Sequence, residues 1–139
     1  MDEEGVFVVH AGTVLLHLFF KSLFTRLQLI EGNAFTDLQA QEQCLHLIHY
    51  LAAGNTEPKE YELMLAKILC AWPIETPIST GILLPEKFLQ EAEDMLKAAI
   101  GQWEILKNTS VAGLREAFLQ RPGKLFSRNG NLYLRVEKS

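Results

Sequence analysis

The fold is decided by residues 108–123, NTSVAGLREAFLQRPG, which contain the start, the body and the end of one short helix. Side-chain oxygens that cap free helix N–H groups come first, on Asn108, Thr109 and Ser110. The apolar residues that follow share one helical face: Val111, Leu114, Ala117 and Phe118. Pro122 and Gly123 end the helix, because proline disfavours the helical conformation for the residue before it and glycine accepts a left-handed turn. With no obvious catalytic group inside it, the stretch is interpreted as a docking helix with an architectural role.

The composition indicates one domain of 139 residues that is long enough to bury a core. Hydrophobic residues make up 48% of the chain and charged residues 22%, which excludes a disordered protein. The net charge of −4 and the absence of a basic run give no support for nucleic-acid binding. Cys44 and Cys70 form no C-x-x-C motif, so we expect buried free thiols in a reducing compartment.

No segment has the properties of a membrane span. The longest apolar block, residues 14–20, contains His17, is followed by Lys21 and is far shorter than the roughly 20 residues that a bilayer requires. The chain begins with Met1-Asp2-Glu3-Glu4, whereas a signal peptide needs a positively charged start. We therefore expect no membrane insertion and a cytoplasmic location, at least at first.

The hydrophobic patterns predict a mainly α fold, a compact bundle of about five helices with a C-terminal β-hairpin at residues 124–137. The predicted helices span about residues 13–28, 36–53, 57–72, 85–107 and 110–121. Residues 6–9 are β-branched or aromatic and predict a short strand. Because a two-stranded hairpin is marginal in water, this strand is the expected third member of its sheet.

Local signals specify several of these boundaries. Thr36 and Gln39 match the S/T-x-x-E/Q capping box at the start of the second helix. Asn55 or Thr56 is the expected cap of the third helix, with Pro58 in its first turn.

Asn129-Gly130 is a strong type I′ turn signal, which places Arg128 opposite Asn131. The same register puts Leu125 across from Leu134, Ser127 across from Leu132 and Phe126 across from Tyr133. The apolar residues through which we expect the hairpin to dock are Leu125, Leu132, Leu134 and Val136.

Glu42, His46 and His49 are the best metal-ligand candidates, because positions i, i+4 and i+7 share one flank of the second helix. The zincin motif, however, needs two histidines at i and i+4 with an adjacent glutamate, and it is absent. On a helical wheel His49 borders the apolar face, whereas His46 points further toward solvent. We predict structural roles for all three residues and no metal or other cofactor.

No pattern indicates an enzyme. Ser110 lacks the G-x-S-x-G elbow of a nucleophilic serine, and capping is its expected role. The glycines form neither the G-x-G-x-x-G fingerprint nor a phosphate-binding loop. A small hydrolase or metal enzyme is therefore the least favoured class.

Four segments, in order, resemble signatures of the tape-measure proteins of contractile injection systems, the phage-tail-like particles of bacteria. They are Ala11-Gly12 with Leu15-Leu16-His17 and Leu23-Phe24-x-Arg26-Leu27, then His49-Tyr50-Leu51-Ala52-x-Gly54, then Glu62 to Cys70 with Pro73 and Pro77, and finally residues 108–123. Together they cover about Val9 to Val136. The chain departs from the family pattern at Leu18, where a proline is expected.

The resemblance implies a non-enzymatic structural protein that lies in the tube lumen and limits tube length during assembly. The implied partners are the tube, baseplate or tape-measure subunits. Family members usually continue into another apolar, tryptophan-containing segment, so we expect a fragment or a shortened paralogue.

A continuous helix of 139 residues would span only about 210 Å, and prolines interrupt it. We therefore expect a terminal module that caps or anchors a ruler, or a factor that recruits one. The alternative is a stand-alone helical adaptor that binds some other protein.

An apolar surface on the first helix is the predicted contact with partners. Residues 14–20 hold six apolar residues in seven, more than one core-facing stripe needs. Val14, Leu15 and Leu18 are the candidate interface residues, because Leu15 and Leu18 lie off the stripe that contains Leu16 and Phe20. Self-association through this surface is a further expectation.

Overall fold

The structure, a computed structural model, describes residues 5–79, 82–103 and 108–137. The helical segments in the described ranges are a 3-10 helix Ala11–Leu16, α1 His17–Arg26, α2 Leu38–Ala53, a 3-10 helix Glu60–Leu63, α3 Met64–Leu69, α4 Glu86–Gln102 and α5 Val111–Leu114, which continues as a π-helical turn Arg115–Leu119. The strands are β1 Val6–Val8, β2 Ile30–Glu31, β3 Ala34–Phe35, β4 Gly123–Arg128 and β5 Asn131–Val136. The predicted fold class, helical with a C-terminal hairpin joined by an N-terminal strand, is confirmed.

The hairpin has the register that its turn chemistry predicts. Arg128 faces Asn131, and the pairs Leu125–Leu134, Phe126–Tyr133 and Ser127–Leu132 follow. Asn129 (φ 53°) and Gly130 (φ 79°) are both left-handed, as a type I′ turn requires. β1 pairs antiparallel with the other side of β4, which gives the strand order β1-β4-β5.

The hairpin docks through a smaller set of residues than we predicted. Leu125 is buried, and Leu134 and Val136 are half-buried against Val8 and Ala11. Leu132 is 48% exposed, so its expected docking role is wrong. It pairs with Ser127 next to the turn and is not part of the apolar cluster that contains Leu125, Leu134 and Val136.

The main core lies around α2. Ten of its sixteen residues are buried, and they pack against α3, α4 and the π-helical turn Arg115–Leu119, in one apolar cluster that also includes residues of α1 and α5. A second, smaller apolar cluster joins the sheet to the 3-10 helix Ala11–Leu16 and to α3 through Val8, Ala11 and Leu125. The segment 108–123 contributes Leu114 and Leu119 to the first cluster and leads directly into β4, whose Leu125 belongs to the second.

The first and third helices differ from their predicted spans. The helix predicted at 13–28 begins as a 3-10 helix at Ala11 and ends at Arg26, because Gln28 takes a left-handed conformation (φ 62°). The helix predicted at 57–72 begins at Glu60, where Lys59 is extended, and ends at Leu69. Asn55 Oδ1 accepts the N–H of Glu57. This hydrogen bond closes a local turn that lies several residues before the helix.

The capping box predicted for α2 is wrong. Asp37 is the N-cap, and its Oδ1 accepts the N–H of Ala40 at 2.7 Å. The hydroxyl of Thr36 donates instead to the carbonyl of Leu29, while Gln39 lies exposed in the first turn. Asp is as good an N-cap as Thr, and Thr36 is one residue too early to reach the helix N–H groups.

The last two helices are shorter than predicted. α4 ends at Gln102, Trp103 is extended, and residues 104–107 of the predicted span lie outside the described ranges. The helix predicted at 110–121 ends at Leu119. Gly123 is not left-handed, contrary to our expectation, but is a buried residue of β4.

A two-stranded hairpin of β2 and β3 was not predicted. Ile30 pairs with Phe35 and Glu31 with Ala34 across Gly32-Asn33, with Gly32 at φ 67°. A two-residue loop with glycine first is a hairpin signal, but each strand is only two residues long. In the described ranges, no helix combines the length and the apolar character that a membrane crossing would need.

Candidate functional site: a junction at the end of α2

The carboxyl end of α2 is where the distant segments of the chain meet. Gly54 ends the helix in a left-handed conformation (φ 81°), and its N–H donates to the carbonyl of Tyr50. The last carbonyls of a helix lack partners within that helix, so they need other donors. Arg115 supplies two, from Nε to Leu51 O at 3.1 Å and from Nη2 to Tyr50 O at 3.2 Å. Gln120 Nε2 donates to Ala52 O at 3.0 Å.

Arg115 is fixed on three sides. Its Nη2 donates to Glu93 Oε1 at 3.0 Å, and its guanidinium lies over the Tyr50 ring at 5.2 Å. The Tyr50 hydroxyl donates to the same Glu93 oxygen at 2.8 Å. Burial raises the pKa of Tyr50, and the Glu93 carboxylate raises it further, so the phenol keeps its proton. The cation also suits the negative end of the α2 dipole.

The N-terminal 3-10 helix docks on the other side of the same segment. The N–H groups of Ala11 and Gly12 both donate to the carbonyl of Arg121, at 2.7 and 3.3 Å. The hydroxyl of Thr13 donates to Leu119 O at 3.4 Å. A Cβ at Gly12 would overlap the backbone carbonyl of Phe118, so only glycine allows this approach.

Two histidines and a glutamate lie beside the junction. The rings of His10 and His49 meet edge to face with centroids 5.7 Å apart, and His10 Nε2 lies 3.4 Å from Glu62 Oε2. His49 Nε2 donates to Asn55 Oδ1 at 3.1 Å, since an amide oxygen only accepts. The Nδ1 atoms of both histidines are buried and have no hydrogen-bond partner within the described ranges.

The environment shifts two pKa values in this cluster. Burial lowers the pKa of His49, and it outweighs the opposing effects of Asn55 and Glu62. Burial alone would raise the pKa of Glu62, but the N–H of Lys59 and the two histidines together lower it. The neighbouring cavity, lined by His10, Thr13 and His49 among others, measures only about 10 Å³. It is too small for a substrate, so the cluster is suited to joining segments.

The segments that meet here are those in which the sequence resembles the tape-measure proteins. A family model described as contractile injection system tape measure protein matches residues 1–139, the whole chain. The chain belongs to this family. No curated protein and no solved structure gives a significant match.

In this tape-measure family member, the metal-ligand candidates have other partners. Glu42 accepts a hydrogen bond from the Ser79 hydroxyl at 2.9 Å, and His46 Nδ1 donates to the backbone carbonyl of Glu42 at 2.9 Å. His46 is only 3% exposed, so its expected orientation toward solvent is wrong. Across the ranges that the structure covers, no three His, Cys, Asp or Glu side chains are grouped as metal ligands.

Cys44 and Cys70 are both buried and free. Burial raises the pKa of each thiol, and for Cys44 the proximity of Cys70 adds to the effect. Protonated, buried thiols are poor nucleophiles and poor metal ligands. This agrees with their interpretation as core residues.

The polar start of the tape-measure segment 108–123 has one capping residue. Ser110 Oγ accepts the N–H of Gly113 at 2.9 Å, and Asn108 forms a left-handed turn before it (φ 73°). Thr109 contributes its methyl group, which lies near Gly113, and no capping bond involving it is observed in the described structure. The carbonyl of Pro122 accepts a hydrogen bond from the N–H of Glu137, which links the segment to the end of β5.

The structure leaves part of the predicted interface uncovered. Leu18 is 76% exposed and Leu15 is 45% exposed, while Val14 is half-buried. His17 is exposed between them, and its Nδ1 donates to the carbonyl of Val14 at 2.9 Å. These residues lie on the side of the first helical segment that faces away from Leu16 and Phe20, which are buried.

Sequence reasoning missed the residues that hold the junction together. Arg115, His10 and Glu62 were given no role there. Arg115 donates to carbonyls about sixty residues earlier in the chain, and no spacing rule connects it with them. The available signal was the charge of Arg115, since an arginine beside the apolar face of a short helix is a candidate cap for another helix end.

Proposed function

We propose that this chain is a non-enzymatic structural and assembly module of a contractile injection particle. The observation that carries the proposal is the family match over the whole chain, together with a folded core in place of an extended rod. In this view residues 1–139 act as one domain that caps, anchors or recruits the extended ruler, within or at the end of the tube lumen.

A ruler must have a length that scales with the tube. α4, the longest described helix, has 17 residues and a length of about 26 Å at ~1.5 Å per residue. Helices of this length, packed around α2 in one apolar core, form a folded domain and not an extended rod. Anchoring or recruitment is therefore the role that this fold supports best.

The exposed surface of Val14, Leu15 and Leu18 is the proposed contact with tube, baseplate or tape-measure subunits. Two leucines exposed at i and i+3 form an apolar patch that a partner would bury. Full burial of an exposed leucine contributes about 1.5–3 kcal/mol, so Leu18 can contribute most of this amount and Leu15 about half. A second copy of the chain could use the same patch.

The proposal is tested by replacing both exposed leucines, Leu15→Ser with Leu18→Ser, and assaying pull-down with purified tube, baseplate and tape-measure proteins. We expect an unchanged circular dichroism spectrum and a loss of binding. The matched control is Leu83→Ser, which changes an equally exposed leucine elsewhere. Wild-type protein that binds none of the particle proteins would favour the alternative, a stand-alone helical adaptor.

A further inference from the structure

The three-stranded sheet has two faces of different character. Val8, Leu125 and Leu134 lie on the inner face, which packs against the helices. Side chains alternate along a strand, so the intervening residues of all three strands share the outer face. This outer face, which we call the basic sheet face, consists of Phe7, Lys124, Phe126, Arg128, Asn131, Tyr133 and Arg135.

The basic sheet face carries cations that no carboxylate of the described residues neutralises. Residues 117–139 hold five of the 13 Lys and Arg residues but one of the 17 Asp and Glu residues. No carboxylate of the described residues forms an ion pair with Lys124, Arg128 or Arg135. Lys124 lies over the Phe7 ring at 5.3 Å and Arg128 over the Phe126 ring at 5.6 Å. In a protein of net charge −4, this face is complementary to an acidic partner.

One edge of the sheet is open for pairing. Among the strands in the described ranges, β5 pairs only with β4. Because Arg128 and Asn131 flank a two-residue turn, the backbone groups of Tyr133 and Arg135 point toward β4. The N–H and C=O groups of Leu132, Leu134 and Val136 consequently point outward from the edge.

The inner side of the same edge is only partly covered. Leu132 is 48% exposed, and Leu134 and Val136 are half-buried. β5 therefore presents an apolar row on its inner side, a basic and aromatic row on its outer side, and between them backbone groups that no described strand pairs.

We propose that β5 receives a fourth strand from an acidic partner protein, a segment in which apolar residues alternate with Asp or Glu. The period of two in a strand places the apolar residues of such a segment beside Leu132, Leu134 and Val136. Its carboxylates then lie beside Tyr133 and Arg135, where opposite charges on neighbouring strands attract. Backbone pairing provides the affinity, and the two rows set the register.

A single-stranded nucleic acid fits this surface less well. Such ligands need open aromatic faces on which bases can stack. Here Phe126 and Tyr133 stack on each other, with centroids 5.5 Å apart and planes at 19°, and cations cover Phe7 and Phe126. The surface is separate from Val14, Leu15 and Leu18, and the proposal does not depend on which assembly the partner belongs to.

The experiment uses the full chain and an eight-residue synthetic peptide of alternating Glu and Val, with amide hydrogen exchange followed by NMR. We expect the amides of Leu132, Leu134 and Val136 to gain protection on binding, while those of Tyr133 and Arg135, already paired with β4, change little. A peptide of alternating Lys and Val, and one with four Glu followed by four Val, should bind at least about tenfold more weakly.

The variant Arg128→Glu with Arg135→Glu should weaken binding of the Glu–Val peptide by about tenfold or more. The matched control, Lys87→Glu with Lys97→Glu, reverses two exposed charges on α4 and should bind like the wild type. Strand addition would be overturned if the amides of Leu132, Leu134 and Val136 gained no protection. It would also be overturned if the peptide of four Glu followed by four Val bound as tightly as the alternating Glu–Val peptide. Binding of an oligo-dT strand with no binding of the acidic peptide would show that the face serves nucleic acid instead.

Discussion

At the scale of single residues, Gly12 shows how closely the N-terminal segment approaches the π-helical turn. Its N–H shares the carbonyl of Arg121 with the N–H of Ala11, and a Cβ would overlap the carbonyl of Phe118. The atoms that a Cβ would meet, the carbonyl oxygen and carbon of Phe118, belong to the backbone and cannot move aside as a flexible side chain can. The resemblance pointed to Ala11-Gly12, but only the structure shows what the glycine contacts.

We expect Gly12→Ala to lower the free energy of unfolding by about 1–3 kcal/mol, because the added methyl group must push two segments apart. Gly101→Ala is the matched control. Gly101 is helical, and no atom of the described residues lies within 4 Å of a Cβ placed there, so alanine should add about 0.5–1 kcal/mol. Urea unfolding of both variants measures the difference, and equal midpoints would contradict the close approach.

His49 gives the junction a dependence on pH. Its pKa in the folded protein is lowered from 6.5, so the unfolded chain binds a proton more readily than the folded chain does. The contribution to stability is therefore complete above a pH of about 6.5 and decreases as the pH falls below it. Glu62, whose pKa is lowered from 4.5, loses its contribution only in more acidic solution.

We expect the melting temperature of the wild type to fall between pH 7 and pH 5.5, and His49→Gln to flatten that part of the profile. His17→Gln, at an exposed histidine, is the control and should leave the profile unchanged. If the slope persisted in His49→Gln, burial of this imidazole would not be its source.

At the scale of elements, the features that local sequence signals determine could be predicted, and those that depend on contacts between distant residues could not. The hairpin register follows from two residues, since Asn129-Gly130 specifies the turn and the turn specifies every pair. The fold class follows from apolar periodicity in the same local way. The N-cap of α2 was missed by one residue, because Thr36 and Asp37 are both good caps and the tertiary contact of Thr36 with Leu29 distinguishes them.

The junction could not be predicted from local sequence signals. Arg115 becomes a cap of α2 only when α5 docks, so its role depends on the assembled fold and not on the segment that contains it. The same holds for the His10–His49 contact, which joins a strand end to the middle of the chain.

Replacing Arg115 with Met should lower the free energy of unfolding by about 1–3 kcal/mol, because it removes the Arg115 donor from the Leu51 carbonyl and the cation that pairs with Glu93. Arg128→Met removes an exposed cation of the sheet and is the control, with an expected change within about 0.5 kcal/mol. Chemical denaturation measures the stability of both variants. If Arg115→Met were as stable as the wild type, the junction would not depend on the hydrogen bonds of Arg115.

The turn of the hairpin is tested by Gly130→Val, which should cost over 1 kcal/mol, on the order of the strain of a β-branched residue at positive φ. Gly130 has φ 79°, and no atom of the described residues lies within 4 Å of a Cβ placed there, so the variant measures the backbone strain. Asn131→Val puts the same side chain at the next position, in a strand, and should be tolerated. A Gly130→Val variant that melts with the wild type would contradict the type I′ turn.

At the scale of the whole molecule, the segments by which the chain resembles the tape-measure family are those that build the junction. Their placement at the end of α2 gives them an architectural role, and it leaves the Val14–Leu15–Leu18 surface and the basic sheet face free for partners. Sequence could predict the family and the exposed leucines. It could not predict the basic sheet face, which exists only when β1 joins the hairpin.

The most direct test of the central claim is electron microscopy of injection particles from cells that lack this gene, compared with cells that carry the wild type or the Leu15→Ser, Leu18→Ser variant. A module that anchors or recruits the ruler predicts few particles, or tubes of uncontrolled length, without the gene. The wild type should restore the normal length distribution, and the variant should not. Particles of normal number and length in the absence of the gene would contradict the account.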